Sequence, residues 1–474
     1  MLSALLLAAC ATKAPPQESL PVTADPLAER PDVGPAPAFT APTPTTFRLG
    51  DDGAEVWLVE RPGLPLVSVR LLVPGGQATD RDGARGLARF TDRMMTQGAG
   101  DRDATAFAEA VERKALTLSV STWPTTSVVQ LDAHADRLGE GLALMADAVL
   151  RPRFDAPQVD IVRDQMTGDI TQSLDDPRTV ASWAASRLYW GQEHALAYPA
   201  LGTPDDLAGL DRGDLQGSWS ARYTGDGVRF VVSGDIDEAE LRAALSEHFP
   251  SWTAGVAPSS VTLPPAGGVP SGTALWFVDN PGASQSVLRV VMPGWTVDDP
   301  QLMEARLGVI ALGGIFTSRL NRLLREEKGY TYGARAGVTA ADQYGLVVAS
   351  TAVRADVTAD ALVDLLDQLT LIREGIDETE LEKARGAHRT SVVSAMERRA
   401  GIADTFTDAW SDGRPPQTFV DELNALDAAT LDGVNAALEK IDLSAATVVV
   451  VGDLAQVRAA VEAKGLGDWQ VLEM

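Results

Sequence analysis

The sequence predicts an α+β protein with two homologous domains, each a mainly antiparallel sheet covered by helices. Two observations lead to this prediction: strand-like segments are followed by blocks of helical patterning, and one half of the chain repeats in the other. With 474 residues the chain is long enough for about two to four domains, each with its own core. We expect the two domains to face each other as a clamshell.

The repeat is visible in two pairs of segments. Residues 229–236 (RFVVSGDI) resemble 447–454 (TVVVVGDL), and residues 67–75 (VSVRLLVPG) resemble 286–294 (SVLRVVMPG). The pairs are offset by 218 and 219 residues. These offsets indicate a tandem duplication, because solenoid repeats are about 20–50 residues long.

Both copies show the same kind of alternation between strands and helices. In the first copy, strand-like runs at 55–60, 66–73, 117–130 and 228–233 bracket helical patterns near 84–98, 103–115, 136–150 and 156–172. In the second copy, runs at 286–292, 345–353 and 446–451 bracket helical patterns near 300–312, 316–328, 356–373 and 377–396. Residues 254–272 contain four Pro and four Gly and are interpreted as a linker. The predicted domains therefore span 46–253 and 273–474.

The first residues resemble part of a bacterial lipoprotein signal. Residues 2–9 (LSALLLAA) are apolar or small and lead directly to Cys10, the only cysteine. This stretch is far shorter than the roughly 20 residues that span a membrane. Residues 1–10 are interpreted as the end of a signal segment, with Cys10 lipidated and the true translation start upstream. The alternative is a chance apolar start with an unmodified cysteine.

A proline-rich segment separates Cys10 from the predicted body. Residues 11–45 hold nine of the 28 prolines, so they are predicted to form an extended, disordered tether. A body anchored in this way is expected in the bacterial cell envelope, on the periplasmic side. Ala11 stands where Asp often retains lipoproteins in the inner membrane, which favours the outer membrane.

Composition disfavours several classes of protein. The net charge of −26 disfavours nucleic-acid binding, which needs Lys and Arg to neutralise phosphates. One cysteine excludes an intrachain disulfide and thiolate-rich metal sites. The four histidines lack a second histidine or cysteine at helical ligand spacing: His134, His194, His248 and His388. We therefore expect no metal ligand among them, a structural or surface role for His194, and solvated surfaces for the others.

Three segments carry a resemblance to a known family. They are residues 83–98 (GARGLARFTDRMMTQG), 198–207 (YPALGTPDDL) and 313–332 (GGIFTSRLNRLLREEKGYTY). Together with the two Gly-Asp strand ends, they resemble the insulinase/pitrilysin family of zinc peptidases, in the short form similar to mitochondrial processing peptidase subunits. The resemblance covers essentially residues 46–474 and is specific for the family but not for a substrate.

The resemblance implies a zinc motif that this chain has lost. Active members carry His-x-x-Glu-His on the first helix of the first half, whereas the matching residues here begin with Arg89 and end in Asp92-Arg93. Arginine has no lone pair to offer a metal. Asp92 keeps a carboxylate at the position of the general base, and the third ligand, a glutamate in the family, aligns with Gly168 or Asp169. We expect no zinc and no catalytic residue here, with the two arginines near Asp92 forming either an ion-pair cluster or an altered cleft.

The second half retains a pair that the family uses to hold substrate. The resemblance implies that an arginine and a tyrosine seven residues apart hold the substrate. Arg325 and Tyr332 have that spacing. A guanidinium and a phenol can hydrogen-bond peptide carbonyls. Gly329 is predicted to cap the helix that carries Arg325. The apolar side of this helix is predicted to carry Phe316, Leu320, Leu323 and Leu324. The alternative is an ion pair of Arg325 with Glu326 or Glu327 and a packed Tyr332.

Gly313-Gly314 is expected to allow a close helix approach or a flexible entry loop, and not to bind phosphate.

Three functional hypotheses follow. The leading one is a non-catalytic, substrate-binding subunit of a two-chain zinc metallopeptidase that acts on peptides, with the zinc in the homologous partner subunit. The second is a non-enzymatic peptide-binding or assembly scaffold lipoprotein of the cell envelope. The third is an active peptidase that uses Asp92 and an unrecognised metal.

Overall fold

A computed structural model describes residues 39–252, 260–270 and 272–474 of the chain. The lipidation prediction at Cys10, the segment 1–10, most of the tether 11–45 and part of the linker 254–272 lie outside these described residues. One compact unit runs from Ala41 to Met474. Ala41 is already buried and the first strand begins at Thr45, so the body starts a few residues earlier than the predicted residue 46.

Fourteen strands are present in the described residues. They are β1 (Thr45–Arg48), β2 (Glu55–Glu60), β3 (Leu66–Pro74), β4 (Gly98–Ala99), β5 (Arg102–Asp103), β6 (Thr117–Thr122), β7 (Thr126–His134), β8 (Arg229–Gly234), β9 (Ala274–Asp279), β10 (Gln285–Pro293), β11 (Thr331–Ala340), β12 (Gly345–Arg354), β13 (Thr447–Gly452) and β14 (Trp469–Val471). Strands β4 and β5 form a short hairpin, and the other twelve form two six-stranded sheets.

Fifteen α-helices accompany the strands in the same part of the chain. They are α1 (Leu87–Met94), α2 (Ala104–Arg113), α3 (Leu138–Leu150), α4 (Ala156–Leu174), α5 (Pro177–Trp190), α6 (Pro204–Gly209), α7 (Arg212–Arg222), α8 (Glu238–His248), α9 (Leu302–Val309), α10 (Thr358–Leu371), α11 (Glu378–Ala395), α12 (Arg399–Ser411), α13 (Thr418–Ala428), α14 (Leu431–Leu438) and α15 (Leu454–Glu462). Two π-helical segments, Ile310–Gly314 and Asn321–Glu327, lie between α9 and β11.

The two sheets share the order and direction of five strands and differ in one edge strand, β1 in the first sheet and β14 in the second. The first has the strand order β1-β2-β8-β3-β7-β6, and the second, written from its other edge, β14-β9-β13-β10-β12-β11. All neighbours are antiparallel except β2–β8, β9–β13 and β9–β14. The repeated segments found in the sequence place β3 and β10, and β8 and β13, at equivalent positions. The predicted α+β fold with two homologous, mainly antiparallel sheets is confirmed.

Some predicted elements differ from the observed ones. The run at 117–130 is two strands, because the chain turns between Thr122 and Thr126. The helix predicted near 316–328 begins later, at Arg319, and is π-helical from Asn321 to Glu327. Helices α5 and α12 were not predicted, although both are central to the packing of the two halves.

Strand β3 is buried on both faces, and each face meets a different partner. Val69 and Leu71 belong to the same core as Leu142 of α3 and Leu245 of α8. The opposite face packs against α12, which lies between β12 and β13 of the second sheet in sequence. Because side chains alternate between the faces of a strand, Arg70 points toward α12.

Helix α12 therefore completes the core of the first half. Trp410 stacks on Trp57 of β2 with ring centroids 4.1 Å apart, and Phe406 meets the same ring edge-on. The backbone carbonyl of Trp410 accepts a hydrogen bond from Arg229 of β8 at 3.2 Å. Stacked and edge-on aromatic pairs contribute about 0.5–1.5 kcal/mol beyond the area that they bury.

Helix α5 makes the reciprocal contact. It follows the first-half helix α4 in sequence but packs on β10 and β13 of the second sheet. Val180 and Ala184 share an apolar core with Val449 and Val451. Each half thus supplies a helix to the sheet of the other half, which joins the two halves into one unit.

One ion pair breaks the symmetry of this exchange. Arg70 on β3 is buried and binds Asp404 of α12 at 2.7 Å and Asp132 of β7 at 3.0 Å. Its equivalent on β10 is Arg289, whose Nε is buried without a hydrogen bond in the described part of the chain. Burial lowers the pKa of Arg289. The charge contacts at the two helix–sheet interfaces therefore differ.

Candidate functional site

Helix α1 carries the first set of predicted site residues. The side chain of Asp80 binds the backbone at the start of this helix. The Asp80 carboxylate accepts hydrogen bonds from the backbone N–H groups of Gly86 and Ala88, each at 2.8 Å. These are donors that a helix start leaves unpaired. Burial raises the pKa of Asp80 to about 7. Gly86 has φ 86°, and a Cβ there would lie 2.6 Å from the Leu201 carbonyl oxygen. The first two sequence segments of the resemblance are therefore in contact.

The Asp92 carboxylate points into the protein and not into a cleft. Its Oδ1 accepts from Arg222 Nη2 at 2.8 Å and from the Tyr223 hydroxyl at 2.9 Å. Its Oδ2 accepts from Thr122 Oγ1 at 2.7 Å and from Ser127 Oγ at 2.6 Å. Asp92 is fully buried. With four donors bound, this carboxylate is occupied and shielded from water, so the structure argues against its use as a general base.

The partners of Asp92 are themselves held in place. Arg222 Nη1 also donates to Ser127 Oγ at 2.8 Å. Burial, and next the negative charge of Asp92, raises the pKa of Tyr223 well above its usual range, so the phenol stays protonated and donates. The network joins α1 to the end of α7 and to β6 and β7. Sequence reasoning missed Arg222 and Tyr223, because both lie about 130 residues from Asp92.

Arg89 and Arg93 lie four residues apart on α1. Arg93 Nη2 donates to Asp169 Oδ2 of α4 at 2.8 Å. Arg89 Nε is buried and has no hydrogen-bond partner among the described residues. Burial, and next the charge of Arg93, lowers the pKa of Arg89. The expected ion-pair cluster therefore forms between Arg93 and Asp169, and not by a hydrogen bond to Asp92.

Zinc does not fit this donor set. The two positions that need lone pairs hold guanidinium groups, and the nearby carboxylate of Asp169 binds one of them. Gly168, the other candidate for the third-ligand position, offers no side chain, and a Cβ there would meet open space. Within the described ranges, no group of three His, Cys, Asp or Glu side chains is arranged to hold a metal.

The histidines have other roles in the structure. His194 is buried, where its Nδ1 accepts from the Leu196 backbone N–H at 3.0 Å and its Nε2 lies 3.0 Å from the Pro264 carbonyl oxygen. It therefore fixes part of the predicted linker to the first half. His388 is largely buried and contacts Glu422 at 3.0 Å, so the solvated surface predicted for His388 is wrong.

Arg325 lies in the second π-helical segment. Its guanidinium carbon is 4.2 Å from the centroid of the Phe316 ring, and its Nε is 3.3 Å from Glu326 Oε1. Phe316 is 61% exposed, so it does not lie on a buried apolar side as predicted, whereas Leu320 and Leu324 are fully buried. An exposed ring under an accessible guanidinium forms a surface that can contact a ligand.

Tyr332 is 91% exposed. The pairing of β11 with β12 shifts register between Thr331 and Ala334, which is a β-bulge next to Tyr332. Strand β11 forms one edge of the second sheet. Gly329 has φ 62° and precedes the strand, as its predicted capping position requires. The packed tyrosine of the alternative interpretation is therefore wrong, although the ion pair of Arg325 with Glu326 is present.

Asn321 fixes the second π-helical segment against β11. Its Nδ2 donates to the Ala334 carbonyl oxygen at 3.0 Å, and its Oδ1 accepts from the Ala334 N–H at 2.9 Å. A Cβ on Gly313 would lie 2.3 Å from the Ala336 backbone nitrogen. The Gly-Gly pair therefore allows close packing on β11, one of its two expected roles.

A cavity of about 430 Å³ in the second half was not predicted. Arg306, His388 and Glu422 line it, and Glu422 Oε1 lies 3.1 Å from Arg306 Nη1 and 3.0 Å from His388 Nε2. Burial raises the pKa of Asp408, also in the lining, to about 6. The lining residues come from several helices and β11, and no sequence motif joins them.

Comparisons with known proteins agree with the sequence resemblance. Residues 55–195 match the family described as insulinase (peptidase family M16), and residues 209–387 match the peptidase M16 inactive domain. These matches cover about two thirds of the chain. The chain therefore belongs to the insulinase family, peptidase family M16.

Individual relatives carry different names. The chain is 25% identical over 411 residues to an uncharacterized zinc protease of Mycobacterium bovis, covering 84% of this chain and 90% of that one. It is 23% identical over 328 residues to a non-peptidase homolog of Helicobacter pylori, covering 68% and 74%. The relatives therefore include proteins named as proteases and one named as a non-peptidase.

Solved structures show the same fold. A peptidase M16 inactive domain from Pseudomonas fluorescens superposes with a TM-score of 0.79 at 22% identity, covering 86% of this chain and 97% of that one. A protease from Helicobacter pylori superposes with a TM-score of 0.78 at 16% identity, covering 86% and 100%.

Replacing Asp92 tests its structural role. Asp92→Asn should lower the free energy of unfolding by about 3 kcal/mol, because the charge of buried Arg222 loses its partner. Urea denaturation followed by circular dichroism measures the change. The matched control is Asp169→Asn, which removes a half-exposed ion pair and should cost less than about 1 kcal/mol. Equal stabilities of the two variants would contradict a structural role for Asp92.

Proposed function

We propose that this chain is the non-catalytic, peptide-binding subunit of a two-chain zinc metallopeptidase. The observation that carries the proposal is the contrast between its two halves. In the first half, Arg89 and Arg93 occupy the ligand positions and Asp92 is bound by four buried or half-buried donors. In the second half, Arg325 and Tyr332 lie on an accessible surface.

The surface around Arg325 has the chemistry that peptide binding needs. A guanidinium donates to carbonyl oxygens, and a phenol donates or accepts. Tyr332 lies on β11, the edge strand of the second sheet, and its exposed side chain can contact a bound peptide. The exposed ring of Phe316 adds an apolar contact. These groups would hold a peptide while a homologous partner subunit supplies the zinc and the water that it activates.

The second candidate is a non-enzymatic peptide-binding or assembly scaffold. It is favoured by the same loss of ligands and by the relative that is named a non-peptidase homolog. A peptide-binding scaffold predicts peptide binding, as the leading candidate does, whereas an assembly scaffold predicts a stable complex without proteolysis. The two candidates differ in whether this chain accelerates cleavage by a zinc-bearing partner.

We also propose a lipid-anchored location in the cell envelope, on the periplasmic side and in the outer membrane. The support is the sequence around Cys10 and the proline-rich segment after it. No helix of the described residues is long and apolar enough to cross a bilayer.

Arg325→Ala tests the role in peptide cleavage. A homologous chain with an intact His-x-x-Glu-His from the same organism is purified, and its cleavage of a peptide pool is measured with and without this chain. The mixture should cleave faster than the partner alone. Arg325→Ala should remove most of this gain, about a hundredfold in kcat if Arg325 stabilises the developing oxyanion.

Arg322→Ala is the matched control for Arg325→Ala. Arg322 lies in the same π-helical segment, is mostly exposed and forms an ion pair with Glu327 at 3.7 Å. This variant should keep the full gain. Peptide binding without any gain in cleavage would favour the scaffold, whereas equal effects of the two variants would exclude a specific role for Arg325.

Cys10→Ser tests the lipid anchor. Cells that express the chain with its native leader are labelled with an alkyne fatty-acid analogue. The wild-type chain should carry the label and separate with outer-membrane fractions, whereas Cys10→Ser should be unlabelled and soluble. An unlabelled wild-type chain would contradict the proposed anchor.

A further inference from the structure

Two positive charges on α1 have only one hydrogen-bonded counter-charge. The described part of the chain contains no hydrogen bond or ion pair from the Arg89 guanidinium to another residue, and its Nε is buried. Arg93 binds Asp169 through a single contact of 2.8 Å, and the Asp169 side chain is 45% exposed. Arg89 therefore retains unused donors at the position where the family would place a metal ligand.

Asp92 attracts Arg89 only through space and forms no hydrogen bond with either arginine among the described residues. Both of its oxygens are bound by donors from β6, β7 and the end of α7. Arg222, on the same carboxylate, balances its charge. The remaining group of Arg89, Arg93 and Asp169 has two positive charges and one negative charge. Such a local excess of positive charge contrasts with the net charge of −26 of the whole chain.

An unpaired, half-buried guanidinium is costly, because arginine does not lose its proton at accessible pH. An incoming anion would restore the balance. The planar carboxylate matches the fork of a guanidinium and can accept two parallel hydrogen bonds. Gly168, the neighbour of Asp169 on α4, carries no side chain, and a Cβ there would touch nothing within 4 Å.

We propose that Arg89 and Arg93 bind a carboxylate of the peptide, and that this carboxylate site replaces the metal site of the family. The inference rests on the proposed peptide-binding function and adds to it the chemical class of the group recognised in the first half. Two groups of a peptide have this chemistry: the C-terminal α-carboxylate and the side chain of Asp or Glu. Asp169 occupies part of the site in the free chain and competes with the ligand for Arg93.

The test measures binding of a short N-acetylated peptide of Ala, Leu, Phe and Ser by isothermal titration calorimetry. Three forms are compared: one with a free C-terminal carboxylate, one with a C-terminal amide, and an amide with one Asp in place of Ser. The full chain should bind at least one carboxylate form about tenfold more tightly than the plain amide, as one lost charge-assisted hydrogen bond implies. The form that binds tightly identifies the source of the carboxylate.

Three variants give the matched comparisons. Arg89→Gln should reduce the affinity for the carboxylate form to that for the amide. Arg113→Gln, on the exposed face of α2 where Arg113 pairs only with Glu109, should change neither. Asp169→Asn should raise the affinity for the carboxylate form severalfold, because it removes the internal competitor; a purely structural role for the arginines predicts no such gain.

The outcomes separate the two proposals. If the wild-type chain binds all three peptides equally, or Arg89→Gln and Asp169→Asn leave the preference unchanged, the carboxylate site is wrong and the peptide-binding function stands. If the wild-type chain binds none of the peptides, both proposals are wrong. Circular dichroism checks that each variant is folded. If Arg89→Gln does not fold, the affinity of Asp169→Asn for the carboxylate form decides whether the carboxylate site exists.

Discussion

The exchange of α5 and α12 between the two halves is the constraint on which the remaining structure depends. Helix α5 lies between strands of the first sheet in sequence and packs on the second, whereas α12 lies between strands of the second sheet and packs on the first. The apolar contacts of Trp410 with Trp57 and of Val180 with the valines of β13 are therefore contacts between the two halves. Because each half lacks a covering layer without the helix of the other, neither sheet can bury both faces alone.

The two candidate sites differ in whether their functional side chains are buried or exposed. The face of the first sheet is closed by α12 through Arg70 and Asp404, while α1 is fixed by Asp92 to residues of β6, β7 and α7. The carboxylate that the family uses as a base has become a structural group in this chain. In the second half, Phe316 and Tyr332 stay exposed beside Arg325, and Tyr332 lies on the edge strand β11.

Much of the fold was accessible from the sequence. The continuous valines of residues 448–451 predict a strand buried on both faces, and the two conserved offsets predict two copies of one topology. The arginines at positions 89 and 93 were enough to predict the loss of the metal ligands. These features are local, or they repeat, and so they leave a pattern in one sequence.

The missed features depend on distant contacts. The direction of Asp92 is set by Arg222 and Tyr223, about 130 residues away, and the position of α12 by Arg70, 334 residues from Asp404. Phe316 was placed on a buried face by its spacing, but it lies in a turn, and the helical residues begin only at Arg319. Only the three-dimensional packing shows that Arg93 binds Asp169 and leaves Arg89 unpaired.

We propose that the first half of this chain holds no zinc. The direct measurement is the zinc content per chain, by inductively coupled plasma mass spectrometry, after the purified protein has been dialysed against zinc and then freed of unbound metal. A chain with guanidinium groups at two ligand positions should retain far less than one zinc per molecule. One tightly bound zinc per chain, lost on replacement of Asp92 or Asp169, would show that the first half is a metal site after all.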